Sequence, residues 1–135
     1  MAQETTDLRE LSPLSLAFLG DSVLELLVRR RLVTQGHMLP GRLNAEKVKY
    51  VSARAQFREM RLLEPALSEE EAEVFRRGRN ASKAMVSAHA TAEEYRASTG
   101  LECLLGWLYL RGEQARIETL FSIVWDQYDP AAPQC

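Results

Sequence analysis

Apolar residues along this chain recur at intervals of three and four, and no stretch alternates apolar with polar residues over the length of a strand. That period belongs to α-helices laying one face on a core, and it predicts an all-α fold. Ser12-Pro13 reads as an N-cap and first helical residue, where proline's missing N–H is no loss. The helix it opens runs to about Val33, with Leu16, Leu19, Val23, Leu24 and Leu27 as its apolar stripe, before Gly36 and Pro40 end the segment. A second helix is expected from about Gly41 to Met60, with Leu43, Val48, Val51, Ala55 and Phe57 inward, and Pro65 marks the next break. Ser68 with Glu71 and Thr91 with Glu94 have the spacing of capping boxes, in which the two side chains bond each other's backbone N–H. The first opens a short helix to about Arg77, and the second opens one through Leu110, closed by Gly112. Between them, Gly78 to Ala90 reads as a long loop of basic and small residues. A last helix over Glu113 to Tyr128 puts Ile117, Leu120, Phe121, Val124 and Tyr128 on one face, and Asp129 to Cys135 reads as a frayed tail.

The 135 residues are the length of one domain, and 46% hydrophobic with 27% charged residues is a globular composition. A single domain is expected over about residues 11–128, with short flexible tails. No apolar run nears the roughly 20 residues of a membrane span. Glu4, Asp7 and Glu10 give the start the wrong charge for a secretory leader. Cys103 and Cys135 are too few and too far apart for a disulfide framework, which fits a reducing cytoplasm. The net charge of −2 speaks against a polyanionic partner, but the charge is uneven. From Arg42 to Arg61 there are six Lys or Arg against two acids, and from Arg76 to Lys83 four and no acid. The local field decides where a polyanion docks, although a charge run is otherwise a solvated helix face.

Two acids lie inside apolar helical stretches: Asp21, beside Gly20 and with Glu25 one turn on, and Glu102, between Gly100 and Gly106. Glycine costs a helix about 1 kcal/mol against alanine, so Gly20 next to Asp21 suggests a reason beyond folding, such as close approach to the backbone. A carboxylate in such a setting needs a cation, either an arginine or a metal ion. If the two acids meet across packed helices, Mg²⁺ suits them, since it takes hard oxygen ligands and keeps several waters. His37 and His89 are isolated, no Cys-x-x-Cys occurs, and no phosphate loop of the Walker kind is present. Ser22 has no His and Asp partners placed by spacing, which argues against a serine hydrolase.

Phe18-Leu19-Gly20-Asp21-Ser22-Val23-Leu24 resembles the signature helix of the ribonuclease III family, and Leu101-Glu102-Cys103-Leu104-Leu105-Gly106 resembles that family's second acidic helix. Asp21 and Glu102 stand at the positions of its catalytic, metal-ligating acids. Full-length members carry further acids where this chain has Ala17 and Thr99, and they continue into a double-stranded-RNA-binding domain. The compact Mini-ribonuclease III branch does neither. Ala-aromatic-x-Gly-Asp, Ser-Thr-x-x-Glu, Val51 to Gln56 and Arg77 to Ala81 are all similar to that branch. The resemblance implies a ribonuclease III-type helical endonuclease domain and a cytoplasmic, Mg²⁺-dependent endoribonuclease that cuts double-stranded RNA. It also implies maturation of large-subunit (23S) ribosomal RNA precursor ends and a homodimer with one Asp21/Glu102 site per strand. A ribosomal protein or pre-ribosomal particle stands as an open further partner.

A-form RNA is recognised through phosphates and 2′-hydroxyls. The candidates to meet them are Arg77, Arg79, Asn80 and Lys83 in the expected loop, then Lys47, Lys49 and Arg54. Arg29, Arg30 and Arg31 end a helix, where cations complement its dipole, and no RNA role is assigned to them. The loop is expected to be mobile without RNA. The width of the apolar arc around Leu16, Phe18, Leu19 and Leu24 supports a dimer. Two other readings remain at this point: a silent relative that binds RNA without cutting it, and a helical scaffold protein.

Overall fold

The computed structural model describes residues 7–36, 39–83 and 89–132. Its helices are α1 (Pro13–Gln35), α2 (Pro40–Val51), α3 (Ala53–Leu63), α4 (Glu69–Ala81), α5 (Ala92–Leu110) and α6 (Gln114–Gln127). Single 3-10 turns cover Leu8–Glu10 and Glu64–Ala66, and no strand occurs among the described residues. The expected caps form: Ser12 accepts from the Ser15 N–H, and both capping boxes close in both directions. None of these helices is long and apolar enough to cross a membrane.

Helix α5 is the axis of the fold. Leu101, Cys103, Leu104, Leu105 and Leu108 are buried around its circumference, because α1, α3, α4 and α6 all pack on it. The closest packing is against α1. A Cβ on Gly20 would sit 1.6 Å from the Glu102 carbonyl oxygen, and one on Gly106 would sit 2.0 Å from the Leu16 carbonyl oxygen. The two helices therefore touch backbone to backbone, through a glycine contributed by each.

Two elements depart from the sequence expectation. The segment read as one helix from Gly41 to Met60 is broken at Ser52, which is extended (φ −64°, ψ 156°) and caps α3 by accepting from the Ala55 N–H. A serine hydroxyl that satisfies an orphan N–H competes with helix continuation. The break re-phases the stripe, so that Val48 is exposed while Gln56, Glu59, Met60 and Leu63 face the core. Helix α4 also continues to Ala81 rather than stopping near Arg77. Gly78 is there for packing: a Cβ would lie 2.5 Å from that of Cys103. The expected loop thus shrinks to the residues after Ala81, and residues 84–88 lie outside the described residues. So do His37, Cys135 and the acid Glu4. The start of the expected tail is held: Arg58 donates to the carbonyls of Asp129 (3.3 Å) and Ala132 (3.0 Å).

Candidate active site

The α1–α5 contact places the two embedded acids side by side. Gly20 seats α1 on the carbonyl of Glu102, and Asp21 follows directly. Asp21 is exposed, Glu102 is half-buried, and their carboxyl groups share a hydrogen bond. Burial, with Asp21's charge and hydrogen bond added, pushes Glu102 up to about 8, against the opposing hydrogen bond from Gln56. Neither acid forms an ion pair among the described residues. At neutral pH the pair can be quieted by a shared proton or by a cation placed between the two groups.

Glu25, one turn beyond Asp21, is held elsewhere: it accepts from Lys47 Nζ at 3.1 Å and lies 3.6 Å from Arg29 Nε. Ala17 is buried. Thr99 spends its hydroxyl on the Tyr95 carbonyl (3.0 Å) and the Ser82 hydroxyl (3.1 Å), tying α5 to the end of α4. The site is therefore two carboxylates, and no group of three or more His, Cys, Asp or Glu suited to a metal occurs among the described residues. Two hard oxygen donors without a bound arginine or lysine fit Mg²⁺, which is commonly held by one or two carboxylates plus waters and substrate phosphate.

Sequence reasoning missed Gln56. It is 1% exposed, and its Nε2 donates to Glu102 Oε2 at 3.2 Å and to the Val51 carbonyl at 3.0 Å. The serine break two residues into the Val51 to Gln56 stretch was the available signal.

The sequence matches the Ribonuclease III domain over residues 14–113. This chain belongs to the ribonuclease III family. It is 42% identical to a Mini-ribonuclease 3 of Symbiobacterium thermophilum over 116 residues, 86% of this chain and 89% of that one. It is 39% identical to a Mini-ribonuclease 3 of Synechocystis, over 93% of this chain and 85% of the relative. A crystal structure of a Fusobacterium nucleatum protein superimposes with a TM-score of 0.79 at 32% identity, covering 89% and 98% of the two chains. As a member of the ribonuclease III family the protein is an endoribonuclease, and its helical fold is that family's.

The basic residues singled out from the sequence are spread over three helices of this ribonuclease III domain. Arg77, Arg79 and Asn80 are exposed on the last turns of α4, and Lys83 is exposed just past its end. Arg77, Arg79 and Lys83 form no ion pair among the described residues. Arg79 lies over the Phe75 ring at 5.8 Å, beside a cleft of about 820 Å³ that Asn80, Arg61 and Arg96 also line. Arg77's charge reaches the Cys103 thiol, next in sequence to Glu102, and opposes the burial that pushes this thiol up to about 11. Lys47 is engaged by Glu25 and Lys49 by Glu46, each at 3.1 Å, and Arg54 lies exposed in the first turn of α3. Arg30 and Arg31 face α6: Arg30 forks onto Glu118 at 2.9 and 3.0 Å, and Arg31 lies over Phe121 and Trp125.

Proposed function

We propose that this endoribonuclease cuts double-stranded RNA in a Mg²⁺-dependent reaction, with Asp21 and Glu102 as the metal-holding catalytic pair. The observation that carries this reading is two adjoining carboxylates, one exposed and one half-buried, with no ion pair to either among the described residues. A divalent ion held there would supply an activated water and offset charge on the scissile phosphate. Gly20 and Gly106 fix the spacing of the two acids by locking the backbones that carry them. Exposed Asp21 faces the solvent side, from which a phosphodiester enters. The candidate RNA contacts are Arg77, Arg79, Asn80 and Lys83, with Arg54, Lys47 and Lys49 behind them. Of these, Lys47 and Lys49 would have to leave an acid partner.

The protein acts as a homodimer in this reading. Helix α1 exposes Leu14 (43%), Phe18 (83%), Leu26 (68%) and Val33 (62%) along one arc, one turn either side of Asp21 and beyond. Leu16 and Leu24, expected on that face from the sequence, are instead buried within the subunit. A two-fold axis over this arc would set one carboxylate pair against each strand of a duplex. The substrate proposed is the duplex formed by the ends of 23S ribosomal RNA precursor, in the cytoplasm, with a ribosomal protein or pre-ribosomal particle as a further partner to be tested. The test is incubation of the purified chain with such a precursor duplex, with and without Mg²⁺. Metal-dependent, staggered cleavage is expected. Tight binding without cleavage at any Mg²⁺ concentration would make the protein a silent RNA-binding relative.

A further inference from the structure

Resting on that reading, we infer that Gln56 is a positioning residue: it fixes the rotamer of Glu102 and so sets the affinity of the carboxylate pair for a divalent cation. The argument begins in the backbone. In an unbroken helix the Ala55 N–H would bond to the Val51 carbonyl. Ser52 takes that N–H with its side chain at 3.1 Å, which leaves the Val51 carbonyl without its helical partner. Gln56 Nε2 supplies the missing donor at 3.0 Å. That contact fixes which way the amide faces, since exchanging its nitrogen and oxygen would set an oxygen against both Val51 O and Glu102 Oε2. The second N–H of the same nitrogen is then aimed at Glu102 Oε2, 3.2 Å away. The break between α2 and α3 thus orients a side chain that reaches across to α5.

The choice of an amide matters chemically. A lysine or arginine at this place would also hold Glu102, but it would cancel the charge that draws a divalent ion. Gln56 donates a hydrogen bond without bringing a charge, so the acid pair stays at the disposal of a metal. Its own Oε1 is buried without a hydrogen-bond partner among the described residues. That cost is of the kind a core tolerates where a polar group serves a site. Partners of this type orient ligating carboxylates, and their loss typically lowers metal affinity about 10- to 100-fold.

The test measures Mn²⁺ binding to the RNA-free protein by electron paramagnetic resonance, beside the Mg²⁺ dependence of duplex cleavage. Gln56→Met keeps length and burial and removes the donor. Leu63→Ala serves as the structural control, because it opens a core cavity on the same helix, two turns from Gln56, and leaves both the break at Ser52 and the hydrogen bond to Glu102 in place. We expect Gln56→Met to fold and to weaken Mn²⁺ binding by about tenfold or more. Its cleavage rate should recover toward that of the parent at raised Mg²⁺. Leu63→Ala should lower the melting temperature and leave Mn²⁺ affinity within about twofold of the parent. Gln56→Leu replaces the Met variant if that one does not fold. Unchanged Mn²⁺ affinity, an equal loss in Leu63→Ala, or failure of both Gln56 variants to fold would each overturn the inference and leave Gln56 as a core residue. If Asp21→Asn removes Mn²⁺ binding while Gln56→Met keeps it, only this inference falls. If the parent binds no Mn²⁺ that Asp21→Asn removes, the metal site itself falls, and the role of Gln56 with it.

Discussion

Two of the inward-facing glutamates are held in opposite ways. At the α4–α6 corner, Glu71 is 5% exposed and fully used: it accepts from Arg116 Nε at 2.8 Å, from Arg116 Nη2 at 2.7 Å, and from the Ser68 N–H at 2.8 Å. Arg116 continues to the Ala66 carbonyl at 2.7 Å, and its hydrogen bonds hold the Glu71 carboxyl below its ordinary range. At the α1–α5 crossing, Glu102 has an amide and a second carboxyl group for neighbours, and it is pushed up to about 8. An inward-facing acid admits two explanations, a structural ion pair or a working group. On the proposed reading these two corners offer one of each. Pairing tells them apart: the structural acid is saturated by a bidentate arginine, and the acid proposed to work is left short of a cation.

The largest expected difference is therefore in cleavage. Asp21→Asn or Glu102→Gln should lower the rate at saturating Mg²⁺ by roughly a thousandfold or more, since metal assistance is worth several kcal/mol in the transition state. Either variant should melt no lower than the parent, because it removes the cost of keeping in the fold a carboxyl group raised to about 8. Full activity of both amides at ordinary Mg²⁺, in a single-turnover assay, would erase the distinction between the two corners.

Arg116→Ala should do the reverse. Removing the partner of buried Glu71 should cost about 2 kcal/mol, between the values for exposed and fully buried pairs, because Arg116's side chain is 31% exposed. Loss of roughly 5–10 °C in melting temperature is expected, with turnover at saturating RNA unchanged below the transition. The sign with pH is fixed by the direction of the shift. Glu71 lies below its ordinary value, so the stability from this pair is present above that value and lost as pH falls through the folded one. A melting temperature equal to the parent's at pH 7 would show the pair to be ornamental.

The cationic end of α4 sharpens the comparison from the substrate side. The double variant Arg79→Ala, Lys83→Ala should weaken duplex binding about tenfold and reduce the salt slope by about one for each lost phosphate contact. Turnover at saturating RNA should fall less, because these residues are not among the proposed metal-holding pair. If affinity and slope both stay at the parent's values, RNA contact passes to Arg54, Lys47 and Lys49, and Glu25 of α1 and Glu46 of α2 become competitors for it.

How far the sequence could be read follows from where each signal is written. Capping boxes are local, and Ser68–Glu71 and Thr91–Glu94 formed as their spacing implied. The α6 face is a plain 3.6-residue stripe, and all five of its named residues are buried. Asp21 and Glu102 were conspicuous because a charge and a glycine both interrupt an apolar run. Gly78 sent the same local signal as a helix-ending glycine, and only the approach of Cys103 shows that it is a packing glycine. Gln56 and Glu59 were unread because they are polar residues among the charges of Arg54, Arg58 and Arg61, where a solvated face is the default reading. Glu59 stands one turn from the inward Ala55, Gln56 directly follows Ala55, and both lie buried on the stripe with Met60 and Leu63.

Glu59 is a third case between the two corners, and it gives the smallest and sharpest test. It is fully buried, and neither carboxyl oxygen has a hydrogen-bond partner among the described residues. Burial raises its pKa well above the ordinary 4.5. Its negative charge, when present, would also be felt by Tyr50 and Tyr128, which pack at the α6 end. Below about pH 4.5 the folded and unfolded chains both carry the proton, and the group costs nothing on this account. As pH rises, the unfolded chain ionises freely and the folded one keeps its proton. Stability is therefore lost, by up to about 1.4 kcal/mol per pH unit, until the folded value is reached. Glu59→Gln keeps the shape and cannot ionise. Measured by urea unfolding without metal, its stability relative to the parent should rise as pH is raised above about 4.5, while duplex cleavage is unaffected. Glu102 is raised in the same direction but is present in both proteins, so it cancels in the difference. A gap between variant and parent that does not change with pH would show that Glu59 is ionised in the fold, held by a cation as Glu71 is.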